Sequence, residues 1–278
     1  MPEREITLGH SPDPDDAFMF YALATGQINT GDLRFVHILQ DIETLNRRAM
    51  HKELDITAVS IHAYAYIHEQ YGLLPCGASI GDGYGPMVVA RSRIPVPGLH
   101  RKKIAVPGEL TTAFLALRLC LDSFDYEVLP FDEILDAVAN ERCDAGLIIH
   151  EGQLTYGQKG LVNVLDLGAW WKEETGLPLP LGANVIRRSL GAELIARINR
   201  FLKASILYAL EHRKDAVQHS LPYARDMNEA LADKFVGMYV NDYTLDYGEE
   251  GRRAVVELLE RGHQAGVIPH RVQPEFVI

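Results

Sequence analysis

Short apolar runs alternate with amphipathic stretches along the chain, and the alternation occurs twice. Ile6-Thr7-Leu8-Gly9 reads as a strand, followed by the Pro-rich loop Ser11-Pro12-Asp13-Pro14-Asp15-Asp16. Ala17–Leu23 then reads as a helix that Gly26 closes. A second copy begins at Lys103-Ile104-Ala105-Val106. Its loop is Pro107-Gly108-Glu109-Leu110, and its helix runs from Thr111 towards Asp122. In both copies a further helix, at 42–52 or 133–141, leads into an apolar strand, at 55–60 or 144–150. Such alternation predicts parallel sheets.

Each copy leaves by a longer strand. Tyr71-Gly72-Leu73-Leu74 precedes Gly85–Ser92, and Gly160-Leu161-Val162 precedes Pro180–Ser189. Both long strands are expected to carry the chain between two lobes, and 93–98 has a linker's composition. Beyond Ser189 the period becomes helical, with Leu194, Ile198, Phe201, Leu202 and Ile206 at helical spacing. Further helices are expected over 215–223, 227–239 and 249–265. The pattern predicts an α/β protein of two lobes, each a mainly parallel sheet flanked by helices, with a cleft between them. The first lobe is expected at 1–92 plus 186–278, and an inserted second lobe at 93–185.

Composition narrows the class. A chain of 278 residues exceeds what one core usually serves, and 47% hydrophobic with 23% charged residues is an ordinary globular balance. The net charge is -11 and no Lys/Arg-rich run stands out. Nucleic acid, which wants a basic stripe, and an anionic membrane surface are therefore not expected as partners. No apolar run approaches the roughly 18 residues of a membrane span. An anionic ligand stays admissible, because backbone N–H groups can hold an anion against a negative background. Cys76, Cys120 and Cys143 form no CxxC pair and no zinc-spaced cluster, so buried apolar roles are expected. Met1-Pro2-Glu3-Arg4-Glu5 lacks a signal-peptide pattern, and a cytoplasmic location is expected. Homo-oligomerisation is left open.

In open parallel sheets a ligand sits beyond the carboxyl ends of the strands, and lobe interfaces favour such sites. That places Ser11–Asp16, Ser60, Thr111-Thr112 and His150 around the cleft. Thr111 and Thr112 open a helix, where hydroxyls, free N–H groups and the dipole suit a carboxylate; a plain helix cap is the equally weighted alternative. His150 ends an apolar strand where the chain emerges into the cleft, and imidazole is the side chain that most readily takes a proton near neutral pH. Glu151 and His10 are candidates to assist it. His62 lies just past Ser60 and is a weaker candidate. His37, His51, His68, His100, His212, His219, His263 and His270 read as solvated. Trp170 and Trp171 fall in a loop before the second long strand, walling the pocket or packing beneath that loop.

Taken in order, these segments resemble the 1,4-dihydroxy-6-naphthoate synthases of the futalosine route to menaquinone. The resemblance runs through Ser11-Pro12-Asp13-Pro14-Asp15-Asp16, Asp41–Asn46, Gly85–Arg91, Ala105–Gly108 with Thr111-Thr112-Ala113, Gly146–Glu151, Gly176–Gly182 and Tyr239-Val240-Asn241. It implies a type II periplasmic-binding-protein fold without secretion. It implies a lyase that converts cyclic de-hypoxanthine futalosine to 1,4-dihydroxy-6-naphthoate and dihydroxyacetone, without metal or organic cofactor. His150 matches the base, Thr111-Thr112 and Ala58-Val59-Ser60 match substrate-binding positions, and Ser11 and Asp16 belong to the matching loop. The chain departs from the family's S-P-C-P-N-D-T loop: Asp13 replaces Cys, Asp15 replaces Asn and Ala17 replaces Thr. Ala58 stands where the family often carries Lys. These changes add negative charge beside the expected carboxylate site. Two other readings share the fold: a non-catalytic solute-binding protein for a small carboxylate, and chorismate dehydratase.

Overall fold

The computed structural model describes residues 3–225 and 227–278; Met1 and Pro2 of the N-terminal reading lie outside them. The chain opens with β1 (Arg4–His10), whose inner end is fully buried. Where one helix was expected at 17–23, two short ones form, α1 (Pro14–Met19) and α2 (Tyr21–Ala24). Phe20 separates them in a non-helical conformation with its ring buried. β2 (Leu33–Leu39) and α3 (Ile42–Met50) follow; α3 starts where the Asp41 carboxylate accepts from the Thr44 N–H at 3.0 Å. Next come β3 (Ile56–Ser60), α4 (Ile61–Ile67), β4 (Tyr71–Leu73) and β5 (Ser79–Gly81). β6 (Met87–Ala90) then leads to β7 (Lys103–Val106), α5 (Thr112–Leu121), β8 (Asp125–Val128) and α6 (Ile134–Ala139). β9 (Ala145–Ile148), α7 (Gly152–Thr155), β10 (Val162–Asp166) and α8 (Leu167–Thr175) complete the central part. β11 (Leu179–Arg187) returns, and the chain ends in α9 (Ala192–Glu211), α10 (Arg213–Ser220), α11 (Glu229–Tyr239), α12 (Asp242–Leu245) and α13 (Gly248–Gln264).

The strands form two sheets, as expected of a two-lobed α/β chain. One runs β2-β1-β3-β11-β4 with β5 beside β11; the other runs β10-β6-β9-β7-β8. Both are mixed rather than mainly parallel. β1 is parallel to β2 and β3, and β7 to β8 and β9, but β11 is antiparallel to β3, β4 and β5, and β6 to β9 and β10. A strand that enters directly from the opposite lobe, with no helical return across its own sheet, is free to run against its neighbours. The changes of sheet come earlier than the expected boundaries at 92 and 185, since β6 already lies in the second sheet and β11 in the first.

Helices α9 to α11 cover the first sheet, where Ile198, Leu202, Ile206 and Val236 pack with Ile6, Leu8 and Phe18. α13 joins the lobes underneath: Val255, Leu258 and Leu259 share a core with Val185 of β11 and Leu115 of α5. Trp170 and Trp171 lie in α8, not in a loop. Trp171 is buried, with its indole N–H donating to the Pro178 carbonyl at 3.1 Å, so it supports β11 from below. Of the histidines expected in solvent, His37, His68, His219 and His263 are half-buried. Among the described residues, no helix is long and apolar enough to cross a membrane.

Candidate functional site

A cavity of about 110 Å³ lies between the two sheets at the carboxyl ends of their parallel strands. The first lobe supplies Ser11, Asp13, Asp15 and Asp16 from the turn after β1, and Ala58, Val59 and Ser60 from β3. The second supplies Thr111 and Thr112 at the start of α5 and His150 just beyond β9. The structure thus brings His150, Ser60, Thr111, Thr112, Ser11, Asp16, Ala58 and Val59 to one cavity. His10, His62 and Glu151 are not on its wall; His10 instead shares a hydrogen bond with His37 at 3.0 Å.

Of the two readings of the threonine pair, the helix cap describes the Thr111 hydroxyl, and the Thr112 hydroxyl takes neither role. Thr111 donates to the Gly108 carbonyl at 2.8 Å and accepts from the Phe114 N–H at 3.1 Å, which makes it the N-cap of α5. Thr112 donates to the Leu181 carbonyl at 2.6 Å and accepts from the His62 N–H at 3.2 Å. Both hydroxyls are therefore committed to backbone. What they present is the open first turn of α5, whose Thr112 and Ala113 N–H groups have no intrahelical acceptor and lie at the positive dipole end. Gly108 suits the approach to this turn: its φ is +156°, and a Cβ there would come within 2.5 Å of the Glu43 carboxylate. That carboxylate accepts from the Leu110 N–H at 3.2 Å and so ties the loop to α3.

Ser60 is fixed by Asn46, which the residue-level reading did not single out. The Asn46 amide donates to Ser60 Oγ at 3.1 Å, and its carbonyl accepts from the Ser60 N–H at 2.8 Å. Since Oγ accepts from Asn46, the Ser60 O–H remains a donor for a ligand. Ala58 and Val59 contribute apolar wall; they pair with Asn184 and Ala183 of β11.

The opposite face carries the ionisable groups. Asp13 occupies the N-cap position of α1 but makes no capping bond, although such a bond is typically worth about 1 kcal/mol. Its carboxylate instead receives His150 Nδ1 at 2.9 Å. His150 in turn sits at φ +56°, a left-handed conformation that costs a non-glycine residue about 1–2 kcal/mol. The Phe131 ring stands edge-on to the imidazole with centroids 4.8 Å apart. Arg225 closes the group. Its guanidinium lies 3.2 Å from Glu151 Oε1, 3.6 Å from Asp13 Oδ1 and 4.9 Å from the Phe131 ring centre. His150 Nε2 is buried with no hydrogen-bond partner among the described residues.

These contacts set the charges. Burial alone would depress the His150 pKa, but the paired Asp13 carboxylate, with Glu151 and Asp15 nearby, raises it to about 9. Asp13 resists its own burial penalty through His150 and Arg225 and stays below the usual carboxylate range. Asp15, buried and beside Asp13, is raised to about 7. Burial and the neighbouring Asp15 push Asp16 well above the usual range, against the Ser11 N–H that donates to it at 2.7 Å. The two extra carboxylates therefore add little net negative charge: Asp13 is paired with imidazolium and guanidinium, and Asp15 is divided between its two forms at neutral pH.

Besides Asn46, sequence reading passed over Asp13 and Asp15 as functional groups, and Arg225, Gln153 and Phe235 altogether; Tyr239 entered only within a segment of the resemblance, with no role. Asp13 and Asp15 were visible as departures in the first loop. Arg225 belongs to the helical C-terminal part and carries no local signal; Tyr239 reaches the cavity wall and donates to Gln153 at 2.7 Å.

Residues 6–264 match the protein family described as Menaquinone biosynthesis. A 1,4-dihydroxy-6-naphtoate synthase from Thermus thermophilus is 42% identical over 272 residues, covering 98% of this chain and 99% of its own. An enzyme of the same name from Streptomyces coelicolor is 38% identical over 273 residues, 95% of each chain. Among solved structures, a protein from Archaeoglobus fulgidus superposes with a TM-score of 0.91 at 47% identity, covering 95% of this chain and 98% of that one. The alkanesulfonate-binding protein from Xanthomonas axonopodis reaches a TM-score of 0.76 at 9% identity over 98% and 96% of the two chains, a likeness of fold alone.

Proposed function

Since the chain belongs to the menaquinone-biosynthesis family and is an enzyme of it, we propose that it is a lyase that converts cyclic de-hypoxanthine futalosine to 1,4-dihydroxy-6-naphthoate and dihydroxyacetone. The observation that carries this reading is the state of His150: Nδ1 is held by a carboxylate, and Nε2 is buried without a partner, on a cavity shared with the open first turn of α5. In this reading the substrate carboxylate rests on the Thr112 and Ala113 N–H groups, and the Ser60 hydroxyl donates to a second polar end. His150 Nε2 removes the acidic proton beside the ketone, the electron pair of the resulting enolate breaks the bond to the sugar-derived fragment, the fragment takes the proton back from the imidazolium as it leaves, and aromatisation of the new ring drives the step. The step as written draws on no metal or organic cofactor. A proton affinity near pH 9 means that His150 is mostly loaded at neutral pH, so turnover climbs as pH rises towards that value.

The test is an assay on cyclic de-hypoxanthine futalosine, followed by naphthoate absorbance. His150→Ala is expected to lower kcat by about 10²–10⁴, the usual worth of a positioned base. Turnover by that variant close to the unmodified rate removes His150 from the role. Turnover of chorismate in place of the cyclic futalosine moves the assignment to the dehydratase.

A further inference from the structure

We infer that Asp13 is the positioning residue for His150, reaching across the cleft to hold Nδ1 and so leaving Nε2 as the nitrogen that exchanges a proton with the ligand. The inference rests on the proposed role of His150 as base.

Three observations support it. First, the two partners hang from different sheets: Asp13 follows β1 of the first, and His150 follows β9 of the second. The contact thus exists when the lobes are together and is lost when they part. Second, each partner breaks a local rule to make it. Asp13 sits where an aspartate normally caps its own helix, yet its carboxylate is turned away from the α1 N–H groups to His150. His150 takes a left-handed backbone that bends the chain out of β9 towards Asp13. Rules of local structure broken on both sides of one contact are expected at a functional pair. Third, the pair is walled in. Phe131 stands edge-on to the imidazole, Arg225 faces Asp13 Oδ1 and Glu151, and Asp15 and Asp16 are the other ionisable neighbours. Beside it, Tyr239 of α11 bonds Gln153 of α7, so His150, Glu151 and Gln153 each meet a residue of the first lobe or its C-terminal helices. With Nδ1–H donated to a carboxylate, the imidazole tautomer is fixed, as a proton-transfer role requires.

The experiment compares the full-length enzyme with Asp13→Asn and Asp13→Glu. It follows kcat and KM against pH, and the His150 imidazole ¹⁵N shifts by NMR. The unmodified enzyme is expected to show Nδ1 in a strong hydrogen bond and titration near pH 9. Asp13→Asn keeps the size but not the charge. Its rising limb of kcat is expected to move down by more than about one pH unit, and its plateau to fall at least about tenfold, with KM changed by less than about threefold. Asp13→Glu is expected to restore part of the shift. A folded Asp13→Asn enzyme whose His150 titrates as before overturns the inference. If Asp13→Asn does not fold, the tautomer and titration of the unmodified protein decide: a His150 titrating at or below the ordinary 6.5 overturns it equally. Should His150→Ala keep its turnover, the base reading fails on that result, while the NMR shift still tells whether Asp13 holds the imidazole.

Discussion

The turn from β1 into α1 and the turn from β7 into α5 are equivalent parts of a repeated strand–loop–helix unit, and they face each other across the cavity. Their helix starts are built in opposite ways. Thr111 caps α5 and Thr112 is bonded to Leu181 and His62, so that turn is satisfied and exposes backbone N–H groups. Asp13 leaves α1 uncapped, and Asp13, Asp15 and Asp16 are buried close together. One turn presents backbone N–H groups to the cavity; the other buries carboxylates whose protonation depends on what lies opposite. In the proposed function the same repeated geometry serves as an anion cradle on one side and carries the proton-handling groups on the other.

That contrast is broken or sharpened by four measurements, in order of expected size. The first-lobe turn should carry the pH dependence of stability. His150, raised from 6.5 to about 9, favours the folded state fully below pH 6.5 and loses that contribution as pH rises through about 9. Asp15, raised from 3.8 to about 7, acts in the same direction, its contribution lost through pH 7. Asp13, lowered, acts oppositely and is lost on acidification below its ordinary 3.8. Denaturation at a series of pH values is expected to show a fall on the order of a few kcal/mol between mild acid and pH 10. Asp15→Asn should remove the part near pH 7 and keep the part near 9; an unchanged curve would show that Asp15 is ionised throughout.

The second turn should respond to removal of hydroxyls, with little dependence on pH. Thr112→Val strands the Leu181 carbonyl and the His62 N–H, an expected loss of about 2–3 kcal/mol in chemical denaturation. A loss well under about 1 kcal/mol would mean that water replaces the hydroxyl easily. Thr111→Ala removes the cap and the bond to the Gly108 carbonyl, so about 1–2 kcal/mol is expected, with KM rising more than kcat falls because the first turn of α5 frays. If kcat falls and KM holds, the turn acts in the chemical step and is not merely a cradle. The smallest effect belongs to Asp16→Asn. A carboxyl whose pKa burial and Asp15 raise is replaced by a neutral amide of the same shape that still accepts from Ser11, so stability should change by less than about 0.5 kcal/mol near pH 7. A change of several kcal/mol there would show that Asp16 is charged.

Much of this was legible before any coordinates. Lys103–Val106 is the strand its apolar run announced, and the long helix after Ser189 follows its helical period. His150 and Thr111-Thr112 could be sent to a common cleft by one rule about strand ends. The strand directions were not legible, because a mixed and a parallel sheet bury the same residues. Trp171 was misplaced because a short amphipathic helix beneath β11 carries little periodicity.

Sequence by itself determined the repeat, and with it the two lobes and the strand ends that had to meet: these follow from hydrophobic period and turn chemistry, which are local. The partners of those ends were decided by tertiary structure alone. Asp13 and His150 are far apart in the chain, and Arg225 is farther still; none of their mutual electrostatics exists until the lobes approach. The same holds for the threonine hydroxyls, which look free in the sequence and are taken by Gly108 and Leu181 in the fold. Proton affinity and hydrogen-bond availability depend on what lies within a few ångströms in space, and that neighbourhood is a property of the folded chain.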